Sequence, residues 1–207
     1  MKSLLINYGA GNVHSVYKAL SKVGFEVILS SDPAEAEKAE VLVLPGQGHF
    51  RQVSEAFAQS GFEPVVRQHI AQEKPFLGIC VGLQLLMRSS EEAPERPGLG
   101  ILNGVVKRFD DPKVSIPQMG WNQIYSYGQP ALLKDIPEGS FAYYCNSYYV
   151  DFDDVNVPGA ITHYGHTTFK SVISQGHLHA TQFHPEKSQA LGLKILSNFH
   201  QIAQCYV

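Results

Sequence analysis

The sequence predicts an α/β fold in which a parallel or mixed sheet is flanked by helices and antiparallel strands fill the C-terminal half. Three observations predict it. Apolar runs without alternation recur in the first half, as in Val41-Leu42-Val43-Leu44, the pattern of strands buried on both faces. Segments of helical period lie between them. From Gly100 onward, shorter β-branched and aromatic runs take over, the texture of hairpins.

Taken in order, Ser3 to Tyr8 reads as a buried strand, and Asn12 as the N-cap of a helix through Val23 that Gly24 closes. A strand at Glu26 to Leu29, a short helix after Asp32-Pro33 and the Val41 to Leu44 strand follow. Then come a glycine loop, helices over Val53 to Ser60 and Pro64 to Gln72, and a strand at Phe76. Parallel strands covered by helices carry function at their carboxyl ends. The second half offers strands at Val105 to Phe109, Asn122 to Tyr125, Phe141 to Tyr144, Tyr148 to Val150, Phe169 to Ile173 and Leu178 to Gln182. A closing helix from Gln189 to about Gln204 lines up Leu191, Ile195, Leu196, Phe199 and Ile202 on one face. With no repeat, low-complexity stretch or linker, a single domain over 1–207 is expected.

Composition narrows the function. The 207 residues are 44% hydrophobic with net charge −3, which leaves no electrostatic footprint for nucleic acid. No apolar stretch approaches the roughly 18 residues of a membrane span, and the N-terminal apolar patch breaks at Asn7-Tyr8-Gly9, too early for a signal peptide. A cytoplasmic protein is expected. The three cysteines, Cys80, Cys145 and Cys205, form an odd set that suits a reducing compartment rather than a disulfide framework. Cys145 in an aromatic strand and Cys205 in the tail read as inert.

Cys80 differs. In Gly78-Ile79-Cys80-Val81-Gly82 an apolar strand meets a glycine-flanked cysteine and turns into an amphipathic segment, the pattern of a nucleophile elbow. The following helix N-terminus offers free N–H groups to a thiolate or an oxyanion. A structural cysteine is the alternative for such a residue taken alone, and a second segment weighs against it. His184-Pro185-Glu186 places two side chains at strand spacing on one face, suited to a base and the carboxylate that orients it. A Cys80, His184, Glu186 triad is the resulting hypothesis. The loop Pro45-Gly46-Gln47-Gly48 opens toward the same sheet edge, where its N–H groups suit an oxyanion hole. His49, in that loop, is a competing base without a carboxylate to orient it.

Two other patterns lead nowhere. Gly9-Ala10-Gly11 lacks the third glycine of a dinucleotide fingerprint, which falls at His14. His163, His166, His177 and His179 match no metal-ligand spacing, so no metal and no cofactor are expected.

The Gly78 to Gln84 and Phe183 to Glu186 segments resemble the two catalytic motifs of class I glutamine amidotransferases. Tyr8 to Asn12, Leu44 to Gly48, Pro117 to Asn122, Asn146 to Tyr149 and His184 to Ser188 resemble, within that class, the glutaminase subunits of imidazole glycerol phosphate synthase, in histidine biosynthesis. The likeness spans nearly the whole chain. It implies a flavodoxin-like amidotransferase fold and hydrolysis of glutamine to glutamate and ammonia. Cys80 would be the nucleophile, and backbone N–H groups of Gly46, Gln47, Gly48 and Val81 would hold the oxyanion. Gln84, Glu92, Ser147 and Tyr148 would bind glutamine. The likeness further implies a heterodimer with a (β/α)₈ cyclase subunit, for which Asn12, Trp121, Tyr143 and Lys187 are the candidate contacts; Gly120 and Asn122 favour a loop-edge position for Trp121 over a core aromatic. Many relatives have Val at the place of Gln47 and His at those of Gln118 and Asn146. The competing readings are an amidotransferase subunit of another pathway and a non-catalytic flavodoxin-like regulatory subunit.

Overall fold

A computed structural model describes residues 1–152, 154 and 156–206. Two consecutive buried runs, β1 (Lys2–Ile6) and β3 (Val41–Gly46), pair in parallel, with β2 (Glu26–Ser30) on the outer side of β1. β4 (Phe76–Cys80) continues the sheet beside β3. Every residue of β3 and β4 is buried, as their unbroken apolar runs require. Past β4 lie β12 (Leu178–Thr181), β11 (Thr167–Gln175), β10 (Gly159–Tyr164), β7 (Gln118–Tyr127) and β8 (Ser140–Asn146), giving the order β2-β1-β3-β4-β12-β11-β10-β7-β8. Pairing is parallel as far as β12 and antiparallel beyond it. A small second sheet orders β5 (Ser89–Ser90), β6 (Val105–Arg108) and β9 (Tyr148–Asp151).

The helices follow from the connections. The chain leaves β1 in one direction through α1 (Val13–Lys22) and leaves β3 in the other through α2 (Phe50–Gln59) and α3 (Phe62–Ala71). Right-handed crossovers therefore put them on opposite faces. Asn12 caps α1 as expected, its Oδ1 accepting from Ser15 N at 3.4 Å. α5 (Gln189–Ala203) buries Ile195, Leu196 and Phe199, with Leu191 and Ile202 at the margin. Its buried Asn198 donates to Leu132 O and Lys134 O at 3.0 and 2.8 Å, tying the helix to a 3₁₀ turn.

Several expectations need correction. α2 starts three residues earlier than Val53, because His49 Nδ1 accepts from Arg51 N and the distant Glu92 carboxylate accepts from Phe50 N. α3 starts at Phe62, with Pro64 inside its first turn, where proline costs no hydrogen bond. The segment after Cys80 is not amphipathic: α4 (Val81–Leu85) is buried on every side, wedged among β3, β4, β9 and α2. β10 and β5 had no counterpart in the expected strands, and β7 runs well beyond Asn122 to Tyr125. No helix among the described residues is long and apolar enough to cross a membrane.

Two buried histidines give the fold a pH dependence. His69 Nε2 donates to Pro75 O at 3.0 Å, and His179 Nδ1 lies 3.0 Å from Ser174 Oγ. Burial pushes both pKa values down to about 4 from 6.5. Between those values the unfolded chain binds more protons than the folded one, so stability falls as pH drops through that window. The urea midpoint is predicted to fall as pH is lowered from about 6.5 to about 4, and replacing both histidines by glutamine should flatten that slope.

Candidate active site

The parallel strands deliver their carboxyl ends to one edge, where Gly46 of β3 sits beside Cys80 of β4 and Thr181 of β12 beside Ile79. Cys80 takes φ 55° and ψ −108°, a conformation that strains any residue with a side chain and that marks functional turns. The turn is possible because its neighbours are glycines. A Cβ on Gly82 would lie 2.0 Å from Leu44 O, and one on Gly46 would lie 2.7 Å from Gly82 N. The elbow is thus locked against the end of β3. Gly82→Ala is predicted to cost about 1–3 kcal/mol through overpacking and to cut any turnover that depends on Cys80 by at least about 10²-fold through displacement of its sulfur. Thermal unfolding and a turnover assay check the two effects separately.

His184 Nδ1 lies 2.8 Å from Glu186 Oε1, with both side chains almost completely buried. The pair is not made by strand spacing as expected. β12 ends at Thr181, and His184 caps a 3₁₀ turn, Pro185–Lys187, that folds Glu186 back onto the imidazole. That turn is anchored to the edge strand β8: His184 N donates to Tyr143 O, and Tyr143 N donates to Ser188 Oγ, both at 2.9 Å. His184 Nε2 has no hydrogen-bond partner of good geometry, and the Cys80 sulfur is the group that acts on the ring most strongly after burial itself. Burial disfavours the imidazolium, but the flanking sulfur and the Glu186 carboxylate outweigh it and push the pKa up to about 10. The site therefore favours a protonated His184 beside the Cys80 sulfur, an arrangement that can donate a proton to a leaving group.

A cleft of about 330 Å³ opens over Cys80, and Gln47, Gly48, Val81, Gln84, Glu92, Ser147 and Tyr148 line it. Cys80, Gln47, Gly48, Val81 and the four residues expected to bind glutamine thus come together, while Gly46, His184 and Glu186 do not line the cleft, nor do Asn12, Trp121, Tyr143 and Lys187. Gly48 has φ +123°, which glycine alone adopts readily. His49 also lines the cleft, and its Nε2 is 3.8 Å from Glu92 Oε1, so it does face a carboxylate. That carboxylate's other oxygen accepts from Phe50 N at 2.7 Å, tying Glu92 to the segment after the glycine loop. Cys145 lies in the cleft too, which places a second thiol there that sequence reasoning had set aside.

Tyr8 and Gln182 are further residues that the sequence did not single out for the site. The Tyr8 hydroxyl donates to Pro45 O at 2.6 Å, just before Gly46. Burial raises its pKa, with the charge of Cys80 adding to the effect. Of the three residues expected to depart from the family pattern, Asn146 Nδ2 donates to Tyr148 O at 2.9 Å, Gln118 is buried with neither side-chain atom paired, and Gln47 is exposed. Among the described residues, no group of three or more His, Cys, Asp or Glu is placed to hold a metal ion.

The family pattern described as Glutamine amidotransferase class-I matches residues 4–202. The chain is 48% identical over 199 residues to the imidazole glycerol phosphate synthase subunit HisH of Deinococcus radiodurans, covering 96% of this chain and 92% of that one. It is 45% identical over 205 residues to the subunit of the same name from Aquifex aeolicus, covering 99% and 98%. In fold it is similar to PurLQS from Thermotoga maritima, with TM-score 0.73, 17% identity and coverage of 99% and 98%. It is likewise similar to the glutaminase domain of Trypanosoma brucei CTPS, with TM-score 0.70, 15% identity and coverage of 99% and 93%. A glycine-locked cysteine, a buried His-Glu pair and a match along nearly the full length agree, and the chain belongs to the class I glutamine amidotransferase family, within it to the HisH subunits.

Proposed function

We propose that this chain, as a single amidotransferase domain, is a glutaminase that supplies ammonia to a (β/α)₈ cyclase subunit in a heterodimeric imidazole glycerol phosphate synthase of the cytoplasm. The observation that carries the proposal is the strained Cys80 elbow, which acts on the buried His184–Glu186 pair on one side and lines a cleft large enough for a small polar ligand on the other. Cys80 attacks the side-chain amide carbon of glutamine, and the resulting oxyanion is held by N–H groups of Gly46, Gln47, Gly48 and Val81. His184 protonates the nitrogen as the C–N bond breaks, releasing ammonia and leaving a glutamyl thioester. Water then gives its proton to His184 and attacks, the C–S bond breaks, and glutamate departs. In the partner, the ammonia combines with a ribonucleotide intermediate to give imidazole glycerol phosphate and aminoimidazole carboxamide ribotide. Acid–base and nucleophilic groups on the chain suffice, so the reaction needs no cofactor or metal, and nothing in it calls for nucleic acid or a membrane.

An apolar patch near the site supports the partner. Met119, Trp121 and Phe141 are 65, 46 and 54% exposed, unusual for large apolar side chains gathered on one hairpin. Trp121 lies within strand β7 rather than on a loop edge, directly across from Tyr143, with ring centroids 5.9 Å apart. Lys187 Nζ sits 6.0 Å above the Tyr143 ring. α1, which Asn12 caps, packs against the same Pro185–Lys187 turn. Truncating Trp121 to alanine is predicted to raise the Kd for the cyclase by about 30-fold, as titration calorimetry would read. The proposal itself is tested by glutamate release from glutamine with this chain alone and with the cyclase and its nucleotide substrate. Strong stimulation supports it, and activity indifferent to the cyclase moves the chain to another amidation.

A further inference from the structure

Gln182 is fully buried between β12 and the His184 turn, and its backbone N–H donates to Ser171 O at 2.9 Å. Its side chain bridges two parts of the site that are far apart in sequence. Gln182 Nε2 lies 3.8 Å from Cys80 Sγ, and Gln182 Oε1 accepts from Gln84 Nε2 at 3.3 Å. Gln84 Nε2 also donates to the Tyr148 carbonyl at 3.2 Å.

The orientation of both amides follows from that carbonyl. A backbone C=O only accepts, so the Gln84 group facing it is the NH₂. The Gln182 atom facing the same NH₂ must then be its oxygen, which turns the Gln182 NH₂ toward the sulfur. Reversing Gln182 would set two NH₂ groups against each other in a buried site and leave the sulfur facing a carbonyl oxygen, both unfavourable.

From this network we infer that Gln182 is a positioning residue for the nucleophile: it donates an N–H to the Cys80 sulfur and is held in that orientation by Gln84 and the Tyr148 carbonyl. The inference rests on the assignment of Cys80 as nucleophile above. A neutral sulfur accepts hydrogen bonds weakly, whereas an anionic one accepts them as charge-assisted bonds. The donor therefore favours the anion, both when the sulfur attacks and when it leaves the thioester. It approaches from a residue other than His184, so it also restricts the sulfur's rotamer. The same network joins the sulfur to Tyr148 on the glutamine side of the cleft.

Gln182→Glu and Gln182→Met separate this role from packing. Glutamate keeps the shape and the acceptor toward Gln84 while replacing the donor at the sulfur by an oxygen. Methionine keeps the length without any donor. The first readout is the pH dependence of Cys80 alkylation by iodoacetamide in the isolated full chain, followed by mass spectrometry of the Cys80 peptide so that Cys145 and Cys205 do not confuse it. The second is kcat and KM for glutamine with the cyclase present.

The alkylation midpoint is expected to rise by about one pH unit in Gln182→Met and further in Gln182→Glu. In both, kcat should fall by about tenfold or more while KM for glutamine changes by less than about threefold. Unchanged alkylation profiles in both variants, with or without a loss of kcat, would overturn the role and leave Gln182 as packing. If one variant fails to fold, the other decides. Alkylation does not depend on the assigned reaction. Shifted profiles in a chain whose wild type releases no glutamate, with or without the cyclase, would uphold the contact and overturn the glutaminase reading alone.

Discussion

Cys80→Ala is expected to lower glutamine-dependent synthesis in the complex by at least about 10⁴-fold while ammonia-dependent synthesis by the cyclase continues. The split follows from the division of labour proposed here, in which the chain contributes ammonia and nothing else to the chemistry of the partner. Alanine suits the test because it keeps a Cβ at the strained φ of 55°, so backbone strain is the same in both proteins. The deleted sulfur is almost completely buried and removes little packing volume. Parallel assays with glutamine and with ammonium salt at raised pH check the result. Loss of both activities would show that Cys80 chiefly supports the structure.

Glu186→Gln is expected to reduce glutaminase kcat by about 10²–10⁴-fold with a much smaller change in KM. The carboxylate accepts from His184 Nδ1 at 2.8 Å and is buried, so it fixes which nitrogen faces Cys80 and supports the positive ring. An amide can present its NH₂ to Nδ1 and so select the wrong tautomer. The pH profile should move as well. Glu186 is one of the groups that raise the His184 pKa to about 10, so without its charge the imidazolium is lost at lower pH. The basic limb of kcat/KM should shift toward acid, and an unmoved limb with wild-type turnover would remove Glu186 from the triad.

The elbow was legible in the sequence because its physical requirement is local: a tight strand-to-helix turn needs glycine at Gly82, where a side chain would collide with Leu44 O, and is eased by Gly78, where one would crowd the Gly82 carbonyl at 3.1 Å. The parallel half was legible for a similar reason, since strands buried on both faces announce themselves as continuous apolar runs. β10 was not, because Gly159-Ala160-Ile161-Thr162-His163-Tyr164 mixes small, polar and aromatic residues and is held by its neighbours β7 and β11. The early start of α2 depends on a carboxylate 42 residues away. The two residues of the His184–Glu186 pair were legible but not the way they meet: a 3₁₀ turn, not strand spacing, joins them, and it is docked on β8 through Tyr143, a contact between distant segments. Gln182 and Tyr8 were hidden for the same reason. Their partners, Cys80 and Pro45, lie 102 and 37 residues away, and neither residue type announces a role near a thiol.

Acid-quench mass spectrometry during turnover, with glutamine, the cyclase and its nucleotide substrate all present, most directly tests covalent catalysis by Cys80. A glutamyl adduct is predicted on the Cys80 peptide, absent in Cys80→Ala and accumulating in proportion to the slowing of hydrolysis. Two cysteines line the cleft, so the position of the adduct is decisive: sustained glutamate release with the adduct on Cys145, or with no adduct on Cys80, would contradict the account.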